Sequence, residues 1–248
     1  MNIRHIKFLK NKSLFGKLIR LPIKLIPSKT ILSILSGNLK GKKWVKGSHN
    51  ISVVLGTYER KQSIEFAAFC KNSKSFWDLG AHVGYYTLLY HFNSANGKIA
   101  AFEPSERNAD LFRKHMNMNK ITDYTLFDVA VSDKEGVLSF NKTATSVAGK
   151  LDEKGDTKVN VVKLSKMVAE GKIAVPDLVK MDIEGAEVNV LKDMKQIFTE
   201  KKPVLFVSTH GKEVHLACVA LLKEMGYSLK ALDRSDMEAA REILAYAR

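Results

Sequence analysis

Residues 76–84 read FWDLGAHVG, and the reading of this stretch decides the fold. Phe76 and Trp77 open a short apolar run that ends on the charged Asp78, and Gly80 and Gly84 follow at once. A run this short, stopped by glycine, suits a buried strand, while VGYYTLLYHF at 83–92 has the length and spacing of a helix. The glycines then mark a strand-to-helix turn that lets a ligand approach the backbone closely.

Outward from this turn the same unit repeats. KIAAFEP (98–104), YTLFDVAV (124–131), DLVKMDI (177–183), PVLFVSTH (203–210), SLKALD (228–233) and EILAYAR (242–248) read as strands. SERNADLFRKHMNMN (105–119), GAEVNVLKDMKQIFTEK (185–201) and KEVHLACVALLKEMG (212–226) read as helices, and GVLSFNKT through VNVVKL (136–164) as a hairpin region. Alternating units of this length imply an α/β fold, a doubly wound and mainly parallel sheet with helices on both faces. Ligands of such sheets bind beyond the carboxyl ends of the strands.

The charge is divided along the chain. Of 40 Lys and Arg, 12 fall in residues 1–58, which hold none of the 26 Asp and Glu; the net charge of +14 therefore sits almost wholly at the N-terminus. A nucleic-acid enzyme would carry basic residues around its cleft, so the pattern argues against a specific nucleic-acid partner. Residues 1–36 mix Ile, Leu and Phe with regularly placed cations, with no run near the roughly 18 apolar residues of a membrane span and no signal-peptide pattern. Two readings stand: an amphipathic element on the anionic inner membrane face, or a basic extension packed on the domain. Cys70 and Cys218 are the only cysteines and form no disulfide framework, so a cytoplasmic protein is expected. The organisation expected is a basic segment at 1–40, a small unit at 41–74 with a helix near 60–71, and the main domain at 75–248. The polar stretch 143–158 is the expected flexible loop.

A second acid narrows the ligand of the turn. Glu103 ends the strand KIAAFEP, where a carboxylate accepts from the hydroxyls of an unmodified ribose. A diphosphate would want a bare helix N-terminus, whereas this turn carries Asp78. A carboxylate there suits a sulfonium or ammonium group, which points to S-adenosylmethionine.

With LGTYE (55–59), DLGAHVGYYT (78–87), AFEP (101–104), AVSDKEG (130–136) and VKMDIEGAEVNVLK (179–192) in this order, the chain resembles the FkbM family of S-adenosylmethionine-dependent methyltransferases. The resemblance implies a class I methyltransferase Rossmann-like fold with an antiparallel C-terminal strand, and O-methylation of a sugar, a glycan or another small hydroxylated metabolite. It places Asp78, Gly80, Ala81, His82 and Gly84 around the methionine part of the cofactor, Glu103 and Pro104 at its ribose, and Asp128 near the adenine, with Asp123 and Asp133 as competitors for that last role.

An alcohol attacks the methyl only as its proton leaves, so a base or a metal must help. VKMDIEGAE offers Lys180, Asp182, Glu184 and Glu187 at the end of the fourth strand, and His210 closes the fifth. Asp182 and His210 are the expected bases. Glu184 and Lys180 come next, Lys180 also reading as the neutralising partner of Asp182, and Glu187 comes last as a solvated first-turn residue. His210 reads equally as a hydrogen-bonded loop residue. Ser208 stands where family members commonly show an acid, which argues against a divalent-metal site. Methylation of RNA and a non-catalytic cofactor-binding scaffold are the alternatives. Tyr58 and Glu59 match the family but suggest no mechanism.

Overall fold

The computed structural model describes residues 25–142, 149–151 and 157–247. Strands β1 (Ile31–Ser33) and β2 (Lys43–Val45) form an antiparallel hairpin, so the boundary expected at 40/41 falls inside a paired unit. Helix α1 (Ile51–Leu55), capped by Asn50 accepting from the Ser52 N–H, and helix α2 (Arg60–Cys70) lead into β3 (Ser75–Leu79). The chain continues as α3 (Tyr85–His91), β4 (Lys98–Phe102), α4 (Glu106–Met118), β5 (Tyr124–Phe127), β6 (Ala130–Val131), β7 (Gly136–Lys142), β8 (Gly149–Leu151), β9 (Thr157–Val162), α5 (Leu164–Ala169) and β10 (Leu178–Met181). It closes with α6 (Glu187–Asp193), α7 (Lys195–Lys201), β11 (Val204–Ser208), α8 (Lys212–Glu224), β12 (Ser228–Ala231) and β13 (Glu242–Tyr246).

The central sheet has seven strands in the order β12-β13-β11-β10-β3-β4-β5. Strands β11, β10, β3, β4 and β5 run parallel, and β13 pairs antiparallel with both β11 and β12. This is the expected doubly wound α/β sheet with its reversed C-terminal strand. The order turns at β3, whose neighbours β4 and β10 lead away in opposite directions, so the cleft opens beyond its carboxyl end.

Alternation along β3 builds two cores. Phe76 packs on one face with Phe66, Tyr86, Tyr90 and Phe206, and Trp77 and Leu79 on the other with Val179, Met181, Leu205 and Val207. Burying a side chain of the Leu, Phe or Met kind contributes about 1.5–3 kcal/mol, so a one-residue slip of β3 would forfeit several such terms at once. The N-terminal hairpin joins the first core through Trp44, whose ring stacks on His115 of α4 at 3.9 Å.

Local reading erred in two elements. YTLFDVAV is two strands: β5 joins the central sheet, while β6 joins a second sheet of order β6-β9-β7-β8, in place of a plain hairpin. GAEVNVLKDMKQIFTEK is two helices meeting at Met194, beside Asp193, whose carboxylate accepts from the N–H and hydroxyl of Ser165 at 3.0 and 2.6 Å. Most of the loop expected at 143–158, and residues 1–24 of the basic segment, lie outside the described residues. Among the described residues no helix is long and apolar enough to cross a membrane.

Candidate functional site

The turn after β3 is wound by left-handed residues, Gly80 at φ +80°, His82 at φ +49° and Gly84 at φ +88°. Glycine is obligatory at position 80 for packing as well, because a Cβ there would lie 1.9 Å from the Asp182 carbonyl oxygen. The winding aims the His82 N–H at Glu103 Oε2, 2.8 Å away. Glu103 Oε1 accepts from the Ser105 N–H at 2.9 Å and from Asn108 at 3.3 Å. A carboxylate offers about four lone-pair positions; three are filled by the chain, and one on Oε2 is not. Burial pushes the Glu103 carboxyl up to about 7, against the pull of those donors.

Asp78 lies beneath the turn, 1% exposed, and Oδ2 accepts from the Thr87 hydroxyl at 2.7 Å. Burial raises its carboxyl to about 6, and Lys180 opposes the rise. The ring of His82 packs edge-on against His49 at 5.2 Å, and burial lowers its pKa to about 4, so the imidazole is neutral. Ala81 is buried, its N–H donating to Phe102 O at 2.9 Å, and Pro104 follows Glu103 at the strand end. Asp128 stands apart from these. Both its oxygens take the Arg113 guanidinium at 2.7 and 2.5 Å on an exposed face. Asp123 likewise pairs with His91 at 3.0 Å, and Asp133 accepts from Ser132 at 3.1 Å.

Register brings the second group to the first, since Lys180 of β10 pairs directly with Asp78 of β3. Lys180 is 1% exposed; it donates to Asp182 Oδ2 at 3.3 Å and to Ser208, whose hydroxyl donates on to Glu242 at 2.7 Å. Burial alone would lower the Lys180 pKa, but Asp182, Glu242 and Glu59 outweigh it and hold the ammonium charged above its usual range. Tyr86 lies under that ammonium at 5.2 Å and donates its hydroxyl to Glu59 at 2.5 Å. Glu59 is itself in the left-handed region at φ +38°, at the start of α2. LGTYE thus seats a carboxylate from the N-terminal unit against the strand-end charges.

Glu184, at φ +54°, turns the chain after β10. His210 beyond β11 meets it there: Nε2 lies 3.3 Å from Glu184 Oε2 and 3.5 Å from Asp182 Oδ1, and Nδ1 lies 2.9 Å from Glu187 Oε1. Burial disfavours the imidazolium, but Glu187, Asp182 and Glu184 together raise its pKa above the ordinary value. Glu187 was read as a solvated residue; it is 0% exposed, also accepts from the Gly185 N–H at 3.1 Å, and leaves Oε2 without a hydrogen-bond partner. The reason is tertiary, because α6 packs against α8 and turns its first residue inward beneath His210. The neighbouring glycine and alanine in EGAE, which cannot screen Glu187 from the sheet, were the one hint in the sequence. Glu242 carried no local signal, since only antiparallel pairing of β13 sets it opposite Ser208.

Chemically, the cleft beyond β3 and β10 holds a carboxylate with a free acceptor position at one end. At the other, an imidazole is braced by a buried carboxylate, with its second nitrogen facing two more. Residues 78–229 match the methyltransferase FkbM domain. The hexuronic acid methyltransferase AglP of Haloferax volcanii is 27% identical over 122 residues, 48% of this chain and 48% of that protein, so the chain spans about half of that relative's length. A structure from Streptococcus mutans described as an S-adenosylmethionine-dependent methyltransferase superposes with a TM-score of 0.51, covering 89% of this chain and 55% of that one at 12% identity, which supports the fold. Methyltransferase FkbM from Methylobacillus flagellatus KT matches over 71% of this chain and 44% of its own, at 18% identity and a TM-score of 0.49.

Proposed function

Because the chain belongs to the FkbM methyltransferase family, we propose that it is an S-adenosylmethionine-dependent methyltransferase that methylates a hydroxyl of a sugar or glycan seated against Asp182, Glu184 and His210. The observation that carries this reading is the convergence of those three side chains beside the glycine turn. S-adenosylmethionine supplies an electrophilic methyl on sulfur, open to in-line displacement by oxygen. Glu103 holds a ribose hydroxyl through its remaining acceptor position, and Gly80–Gly84 shape the backbone around the methionine part. Lys180 fixes Asp182 through Oδ2, and Glu187 fixes His210 through Nδ1, so that Oδ1 and Nε2 face the acceptor together. The hydroxyl proton passes to this group of side chains as the oxygen attacks. The name of AglP, which acts on a hexuronic acid, supports the sugar class. The basic segment 1–36 supports a peripheral site on an anionic membrane face, through charge alone.

Calorimetric titration with S-adenosylmethionine, followed by mass spectrometry of uronic-acid-containing glycans incubated with enzyme and cofactor, tests the reading. Micromolar binding that Glu103→Ala abolishes, with one methyl added per acceptor, is the expected result. Absence of cofactor binding by the intact chain would favour the scaffold alternative.

A further inference from the structure

The end of the cleft carries more negative charge than its own cations balance. Asp182 and Glu184 face His210 Nε2 at 3.5 and 3.3 Å, Glu187 faces Nδ1 at 2.9 Å, and Glu242 and Glu59 act on Lys180 from close by. Lys180 is already engaged by Asp182 and Ser208. Glu187 is a separate observation at the same place: it is 0% exposed, and its Oε2 is buried with no hydrogen-bond partner. A carboxylate buried in this way is costly unless positive charge stands close by.

The geometry for that charge is present. One ligand atom from each of Asp182, Glu184 and His210 lies within 4.8 Å of the others. The three side chains are 32%, 30% and 33% exposed, open to solvent and to a substrate. A buried carboxylate on the far ring nitrogen is the arrangement that orients a metal-ligating imidazole. Sequence reasoning set a metal aside because Ser208 replaces an acid, but the turn at Glu184 brings in a second carboxylate from elsewhere.

We propose that Asp182, Glu184 and His210 bind one divalent cation of the Mg²⁺/Mn²⁺ class, with Glu187 as the residue that positions His210. Two carboxylates favour a hard cation, and the imidazole tips the preference toward Mn²⁺ over Ca²⁺. This rests on the methyltransferase reading of the cleft: the open positions on the ion take the acceptor oxygen, whose proton passes to a carboxylate of the same group. The oxygen's electron pair then forms the bond to the methyl carbon, and the carbon–sulfur pair stays on sulfur. His210 serves here as a ligand through Nε2.

The test is a titration of the chelator-treated full chain with Mn²⁺, read by electron paramagnetic resonance without any acceptor, beside calorimetry with S-adenosylmethionine on the same samples. One Mn²⁺ per chain is expected, displaced by Mg²⁺, and weakened about 10–100-fold in Glu187→Gln and at least as much in Glu184→Gln, with cofactor binding retained. Spin-echo modulation of the bound Mn²⁺ in the unaltered protein should report one directly coordinated imidazole nitrogen. Absent Mn²⁺ binding, binding without that nitrogen, or binding indifferent to Glu184→Gln would overturn the proposal. Loss of cofactor binding by the unaltered chain would instead overturn the methyltransferase reading, so the two failures are distinguishable.

Discussion

His115 joins the N-terminal unit to the cofactor turn, and its titration gives a measurable consequence. The Val45 N–H donates to Nε2 at 3.1 Å, so Nδ1 carries the ring proton and donates to the Val83 carbonyl at 2.7 Å. The ring is 0% exposed, and its burial lowers the pKa from 6.5 to about 4, partly opposed by the bond to Val83. A histidine with a depressed folded-state pKa is neutral when folded. Between the two pKa values the unfolded chain binds more protons, so stability is fully present above about 6.5 and is lost as pH falls toward about 4. Linkage gives a loss of about 2 kcal/mol at pH 5 and about 3 kcal/mol at pH 4 from this residue alone. His82 adds a loss in the same direction, because burial lowers its pKa to about 4 as well. Urea unfolding of the intact protein and of His115→Gln, at pH 7.5, 5 and 4, separates the two. His115→Gln should be the less stable protein at pH 7.5, and the gap should narrow by about 3 kcal/mol on reaching pH 4. Parallel pH profiles for the two proteins would refute the assignment of His115 as a buried neutral link.

Three other outcomes follow from the site. Glu103→Gln replaces an acceptor with an amide donor facing the N–H groups of His82 and Ser105, and should weaken S-adenosylmethionine by about 1–3 kcal/mol in calorimetry; unchanged affinity would remove Glu103 from the cofactor site. Gly80→Ala sets a methyl 1.9 Å from the Asp182 carbonyl oxygen in a left-handed conformation, and should destabilise the fold by about 2 kcal/mol or more, read as a lower urea midpoint. Removing residues 1–24, which leaves the β1–β2 hairpin whole, should abolish flotation with anionic vesicles while leaving cofactor affinity intact; retained flotation would assign the membrane contact to the rest of the chain.

Periodicity made the sheet legible, because each strand of the parallel set declares itself by a short apolar run and each helix by its spacing. The turn after β3 was legible for the same local reason: Gly80 and Gly84 follow the end of one strand and Glu103 the end of the next, and strand ends are visible in the sequence. The FkbM resemblance, drawn from LGTYE to DIEGAE, agrees with the family match over residues 78–229. Asp182, Glu184 and His210 were each visible singly, as polar residues closing apolar runs.

What joins them was decided by tertiary structure. Glu187 looked like any first-turn glutamate until α6 packed against α8, and the pairing of Asp128 with Arg113 of α4 was not written in either segment alone. Glu59 and Glu242 reach Lys180 from opposite ends of the chain. The physical reason is one of range. The torsional preferences and side-chain alternation that make a strand or a turn act over a few residues and are written locally. Burial and charge pairing depend on which surfaces close on one another across the whole chain, and those interactions lodged Glu187 behind His210 and left Asp78 under Lys180.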